Sequence, residues 1–74
     1  MQQSLSPGLA KTITQNVVYS LPTRLCYVTS SAAVDISVDN STWNALTGAN
    51  TVGAYTSAQF IRCTTASPVV LCKV

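Results

Sequence analysis

Ala33-Val34-Asp35-Ile36-Ser37-Val38-Asp39 alternates strictly: Val34, Ile36 and Val38 are apolar, and Asp35, Ser37 and Asp39 are polar. Side chains of a β-strand point to opposite faces in turn, so this period of two predicts a strand over 33–39. Residues 34, 36 and 38 would then face a core. Asp39-Asn40-Ser41 follows. Asp and Asn bond their own backbone and tolerate unusual φ, so these residues predict a tight turn. Trp43 and Leu46 would lie on the returning strand, near 42–46. Outward from this unit, Val, Ile, Thr and Tyr dominate, which suits a pleated, half-buried surface. Further strands are predicted near 12–19, 23–30, 57–65 and 69–74. Residues 47–54, TGANTVGA, hold two glycines and an asparagine and read as the longest loop. No segment carries a helical period of useful length.

The expected fold class is all-β. It is a small antiparallel β-sandwich or barrel of about six strands, formed by residues 12–74. Residues 1–11 contain a Pro-Gly breaker and no sustained period, and read as an extended, flexible N-terminal arm. The last two strands are expected to form a hairpin about Ser67-Pro68. That register puts Ile61, Cys63, Val70, Cys72 and Val74 on one apolar face, with Cys63 opposite Cys72 and Arg62 opposite Lys73.

Composition narrows the function. The chain has 74 residues, so it is one domain. A domain this small buries only about 60% of its unfolded surface and gains from partner chains. Four basic and two acidic side chains make up 8% of the sequence, where roughly 25% charged is usual. The surface must be mostly hydroxyl, amide and apolar. There is no histidine and no glutamate, so a Ser-His-Asp or Cys-His mechanism has no base. Three scattered cysteines do not supply the four ligands of a zinc site. Their odd number excludes full pairing within the chain, and buried free thiols are the expectation. A net charge of +2 without a basic run argues against a nucleic-acid footprint. No apolar run is long enough to span a membrane. Met1-Gln2-Gln3-Ser4 lacks the basic and apolar regions of a signal peptide, which predicts synthesis in the cytosol.

Few residues are left to carry chemistry. Asp35 and Asp39 would lie on one strand face, but roughly 13 Å apart at 3.3 Å per residue. Paired glycosidase carboxylates are closer, at about 5–9.5 Å. Asp35 is expected to face solvent and Asp39 to form its turn. Ser37–Trp43, SVDNSTW, resembles the Asp-box pattern S-x-D-x-G-x-T-W with one residue fewer and no glycine. Such boxes are hairpin turns and imply no catalysis. Trp43 is expected to fold over the core, the other reading being a sugar-stacking platform. Tyr55, beside the glycine-containing loop, is a candidate contact residue at a protein surface.

The motifs also suggest a family. Lys11-Thr12-Ile13, the run Tyr19–Arg24 (YSLPTR), Ala33–Trp43 (AVDISVDNSTW), Thr47–Gly53 (TGANTVG), Ala58–Thr64 (AQFIRCT) and a valine-rich last strand together resemble small virion proteins of tailed bacteriophages. The resemblance runs from about residue 5 onward and rests on strand-and-turn patterns. It implies a head-decoration, or cement, protein: non-enzymatic, without cofactor or metal, assembled in the host cytoplasm and placed on the capsid surface of the virion. It also implies a homo-oligomer, with a trimer favoured, whose partner is the major capsid protein. On this reading Ser4, Leu5, Pro7 and Leu9 of the arm contact the capsid, and Asn50, Val52 and Tyr55 contact a sister chain. The alternatives are a tail, baseplate or fibre accessory protein, or a lectin-like module stacking sugars on Trp43 or Tyr55.

Overall fold

The structure is a computed structural model, and it describes residues 3–22 and 24–73. Its nine short strands are β1 (Gln3–Ser4), β2 (Lys11–Thr12), β3 (Tyr19–Ser20), β4 (Cys26–Ser30), β5 (Asp35–Ser37), β6 (Asn44–Ala45), β7 (Ala54–Thr56), β8 (Phe60–Arg62) and β9 (Val69–Lys73). They form two sheets, one ordered β1-β3-β8-β5-β6 and the other β2-β9-β4-β7. The chain is all-β, as the sequence predicts, and no helix occurs among the described residues. Neighbours are antiparallel except β1 and β3, which run parallel.

The core lies between the sheets. The five-stranded sheet contributes Tyr19 and Ile61, and the four-stranded sheet Cys26, Val28, Val70 and Cys72, all at most 1% exposed. Ile13, Val34 and Cys63 fill the space from the connecting segments. Tyr19 buries its ring while its hydroxyl accepts the Thr14 N–H at 2.8 Å, so the phenol enters the core with its polar atom satisfied.

Several sequence-level expectations are corrected. The run 12–19 is two strands in different sheets, because Asn16 takes a left-handed φ of 65° and turns the chain between them. β8 and β9 do not form a hairpin. β8 pairs with β3 and β5, and β9 with β2 and β4, so Cys63 does not oppose Cys72. The shared burial of 61, 63, 70 and 72 is nonetheless real, since both sheets direct these residues into one interior. Arg62 opposes Asp35, and Lys73 opposes Tyr27. The alternation of 33–39 fails at its end: Ser37 is buried at 2% and Val38 is 65% exposed. The Asp39 turn begins immediately after β5 and folds over Ser37.

The N-terminal arm is docked. Ser4 pairs with Ser20, the Leu5 N–H donates to the Ser20 carbonyl at 2.9 Å, and the Leu5 side chain is 4% exposed. A core this small gains from one more leucine. Gly8, at φ +78°, turns the chain, and its N–H reaches the Cys72 carbonyl at 2.7 Å, carrying the segment from one sheet to the other. Met1, Gln2, Thr23 and Val74 lie outside the described residues.

Candidate interaction surface

In a two-sheet fold each strand turns one face inward and the other outward. On the four-stranded sheet Cys26, Val28, Val70 and Cys72 face inward, so Tyr27, Thr29, Val69, Leu71 and Lys73 face out. Tyr55 joins them across β7, where it opposes Tyr27. Leu25 continues the outward set just before β4. An outward face on an antiparallel sheet is normally polar. Here it is not. Of the six large apolar residues exposed among the described residues, Leu25 (57%), Tyr55 (70%) and Val69 (48%) belong to this face, and Val52 (78%) stands at its rim.

The rim is built rigidly. Gly53 has φ +102°, and a Cβ there would lie 2.5 Å from the Tyr27 ring, so only glycine fits under the phenol. The Tyr27 hydroxyl donates to the Val52 carbonyl, and its ring meets that of Tyr55 at a centroid distance of 4.9 Å and a tilt of 58°. The Gly53 N–H closes the loop onto the Gly48 carbonyl at 3.1 Å, and Ala49 is buried beneath. Tyr27 thus clamps the 48–55 loop, and Val52 and Tyr55 project from a fixed support.

The candidate contact residues separate accordingly. Asn50, Val52 and Tyr55 are all exposed along one edge of the sheet. Of the arm residues, Leu5 is core and has no side-chain surface for a partner, whereas Ser4, Pro7 and Leu9 are exposed. The Gly8 bond to Cys72 ties the Pro7–Leu9 turn to β9, so Leu9 (65% exposed) borders the same sheet from its other side. Leu25, Tyr27 and Val69 were not singled out by sequence reasoning. Their signal is that 25–28 (LCYV) and 69–72 (VVLC) are continuously apolar where a one-sided strand would alternate.

The outer face of the five-stranded sheet is different. Asp35 stands directly between Ala45 and Arg62 on the neighbouring strands. The Arg62 guanidinium lies 4.1 Å from the centre of the Trp43 ring, a cation–π contact on a half-buried indole. Arg62 Nε is buried without a hydrogen-bond partner. Because the guanidinium covers one face of Trp43, a sugar ring has at most the other to stack on. Asp39 forms its turn as the sequence predicts: its Oδ1 accepts the N–H groups of Ser41 and Thr42, each at 2.9 Å, and the Ser37 hydroxyl at 3.0 Å. Asn40 takes φ 61°, a left-handed conformation in which asparagine is enriched. The Thr42 and Ser41 N–H groups, then the Ser37 hydroxyl, hold the Asp39 carboxyl below its ordinary pKa.

An open depression of about 650 Å³ lies near the end of β3, lined by Ser20, Leu21, Pro22, Arg24, Ser57, Gln59 and Phe60. Among the described residues that line it, Arg24 is the one charged side chain. The thiols lie apart from it. Burial raises Cys72 to about 11, with Cys26 beside it adding to the shift. Burial also pushes Cys63 up, but hydrogen bonds from the Thr65 hydroxyl and the Thr65 and Ala66 amides outweigh it, leaving that thiol below its usual pKa. Cys63 is 0% exposed and donates to the Ala33 carbonyl at 3.2 Å, so its environment is that of a core residue. Among the described residues no three of Cys, Asp or Glu converge on a point that could hold a metal ion. Set against known protein families, curated proteins and solved structures, the chain matches none of them.

Proposed function

We propose that this chain is a non-enzymatic structural protein of a bacteriophage virion, a decoration protein that oligomerises on the outer surface of the head and stabilises the shell. The observation that carries the reading is the apolar outer face of the four-stranded sheet. Leaving Leu25, Val52, Tyr55 and Val69 in water is unfavourable, and patches of this kind mark surfaces that other chains cover. The resemblance to small phage virion proteins supplies the setting. The sequence adds that four basic and two acidic residues, without histidine, suit close packing against other subunits better than acid–base chemistry.

The mechanism is mechanical and calls on no cofactor. The sheet face, bordered by Leu9 and by the 48–55 loop, lies against the major capsid protein and neighbouring copies. Each bound copy then adds interfacial free energy that must be lost before the shell opens. The test is co-sedimentation of the purified protein with phage heads stripped of it, followed by the temperature at which those heads release DNA. Saturable binding with a raised release temperature is expected. Heads that neither bind the protein at micromolar concentration nor gain stability would overturn the proposal.

A further inference from the structure

The open edge of the four-stranded sheet has a definite hydrogen-bonding polarity. The Ser30 N–H of β4 donates toward the β7 side, to the Ala49 carbonyl at 2.8 Å, while the Ser31 N–H donates to Val69 on the β9 side at 3.1 Å. Successive residues of a strand point their amides to opposite neighbours, so 26, 28 and 30 serve β7 and 27 and 29 serve β9. Cys26–Thr56 and Val28–Ala54 are therefore the hydrogen-bonded pairs of the β4–β7 ladder, and Tyr27–Tyr55 is the non-bonded pair between them. The short ring separation agrees, since side chains of non-bonded pairs lie closer. It follows that the Tyr55 N–H and C=O both point out of the sheet, away from β4.

Natural edge strands are guarded by charge, proline, bulges or a covering segment. The opposite edge, β2, carries Lys11. Among the described residues no strand pairs with the outer side of β7, and Tyr55 on it is 70% exposed. No charged residue occurs anywhere from Asn40 to Ile61, and no proline occurs within β7. We propose that β7 pairs antiparallel with β7 of a second copy, about a two-fold axis at Tyr55. Tyr55 of each copy donates its N–H to the other's Tyr55 carbonyl, joining the two sheets into one of eight strands.

A second copy fits this edge for two reasons. A residue that presents both its donor and its acceptor outward is complementary to itself across a two-fold, the defining property of an isologous contact. The uncharged stretch also meets its own image without repulsion, and the exposed Val52 and Tyr55 of both copies become continuous. The contact gives the proposed oligomerisation its partner surface and rests on that reading for its role. It predicts a dimer where the resemblance implies a trimer.

The test is light scattering and amide exchange on the purified protein across a concentration series, without capsids. The expected result is a two-chain mass at high concentration, with the Tyr55 amide slowed there and fast on dilution. Methylating the Tyr55 amide nitrogen in a chemically synthesised chain replaces the outward donor with a methyl group, leaves the β4–β7 hydrogen bonds in place, and should weaken the dimer at least about tenfold. Tyr55→Lys should weaken it as well, while Ala45→Lys, on an edge of the other sheet, should leave it unchanged. Thermal unfolding of each variant checks that it folds. A monomer or trimer at all concentrations, or a dimer indifferent to both Tyr55 changes, would overturn the proposal. A monomer that still binds heads refutes this contact alone, and a dimer that ignores heads refutes the capsid reading alone.

Discussion

The two sheets of this molecule turn unlike faces to the outside. The five-stranded sheet presents an opposed Asp35–Arg62 pair, a tryptophan already covered by that arginine, and a self-capped Asp39 turn. Asp39 finds its hydrogen-bond partners within the chain, and Arg62 covers the indole although its Nε has none. The four-stranded sheet presents tyrosine, valine and leucine, with Lys73 the one charged side chain on its outward strand positions. The inward faces of both sheets share one core, so the requirement to fold does not explain the difference. One face is covered in part by the chain's own side chains, and the other leaves Leu25, Tyr55 and Val69 exposed.

The sharpest way to break this comparison is at the clamp that supports the apolar face. Gly53→Ala forces a Cβ into the Tyr27 ring at a left-handed φ, and should destabilise the fold by about 3 kcal/mol. Gly8→Ala is the control. Gly8 also has positive φ but nothing lies within 4 Å of its Cβ position, so only backbone strain of about 1 kcal/mol is expected. Urea denaturation of the two variants measures the gap. Equal losses would show that Tyr27 does not clamp the loop.

On the other sheet, Arg62→Ala removes the cation from Trp43 and the charge opposite Asp35. A loss of about 1 kcal/mol is expected, together with a change in Trp43 emission as its covered face opens. Unchanged stability and emission would mean that this face is not completed from within.

The limits of stability in pH divide between the sheets too. The Asp39 carboxyl is held below its ordinary pKa, so the stability it adds is complete above the unfolded value of about 3.9 and is lost as pH falls through the lower folded value. Asp39→Asn should flatten that acid limb. Cys72 is raised to about 11, so its contribution is complete below the unfolded thiol value of about 8.5 and is lost as pH climbs through the folded one. Cys72→Ala should flatten the alkaline limb. Denaturant titrations from pH 2 to pH 11 would show limbs that survive these changes if the assignments are wrong. Smallest of all, Val52→Ser and Leu25→Ser should shift stability by under about 0.5 kcal/mol, because both side chains are more than half exposed.

What could be read from the sequence follows the range of the forces involved. The Asp39-Asn40 turn was legible because Asp39 closes it with bonds to residues two and three positions along. The all-β class was legible in the abundance of β-branched residues. The path of the chain between sheets was not. Residues 57–65 and 69–74 look like a hairpin locally, but β8 and β9 find their partners in opposite sheets. Leu5 looked like part of a free arm because nothing in its neighbours reveals Ser20 waiting to pair with it. Of the candidate surface, Val52 and Tyr55 were legible as exposed residues near glycines. Leu25 and Val69 were not, since continuous apolar runs do not say which side faces out until the sheets are assembled.

The proposed function makes the outer face of the four-stranded sheet the working surface. Its most direct test compares Val69→Asp with Ala45→Asp in co-sedimentation with stripped phage heads, both variants first shown to be folded. Val69→Asp places a charge in the apolar face, and Ala45→Asp places one on the outer face of the other sheet. Val69→Asp should abolish binding, while Ala45→Asp should bind as the unaltered chain does. Equal binding by the two, or loss with Ala45→Asp alone, would contradict it.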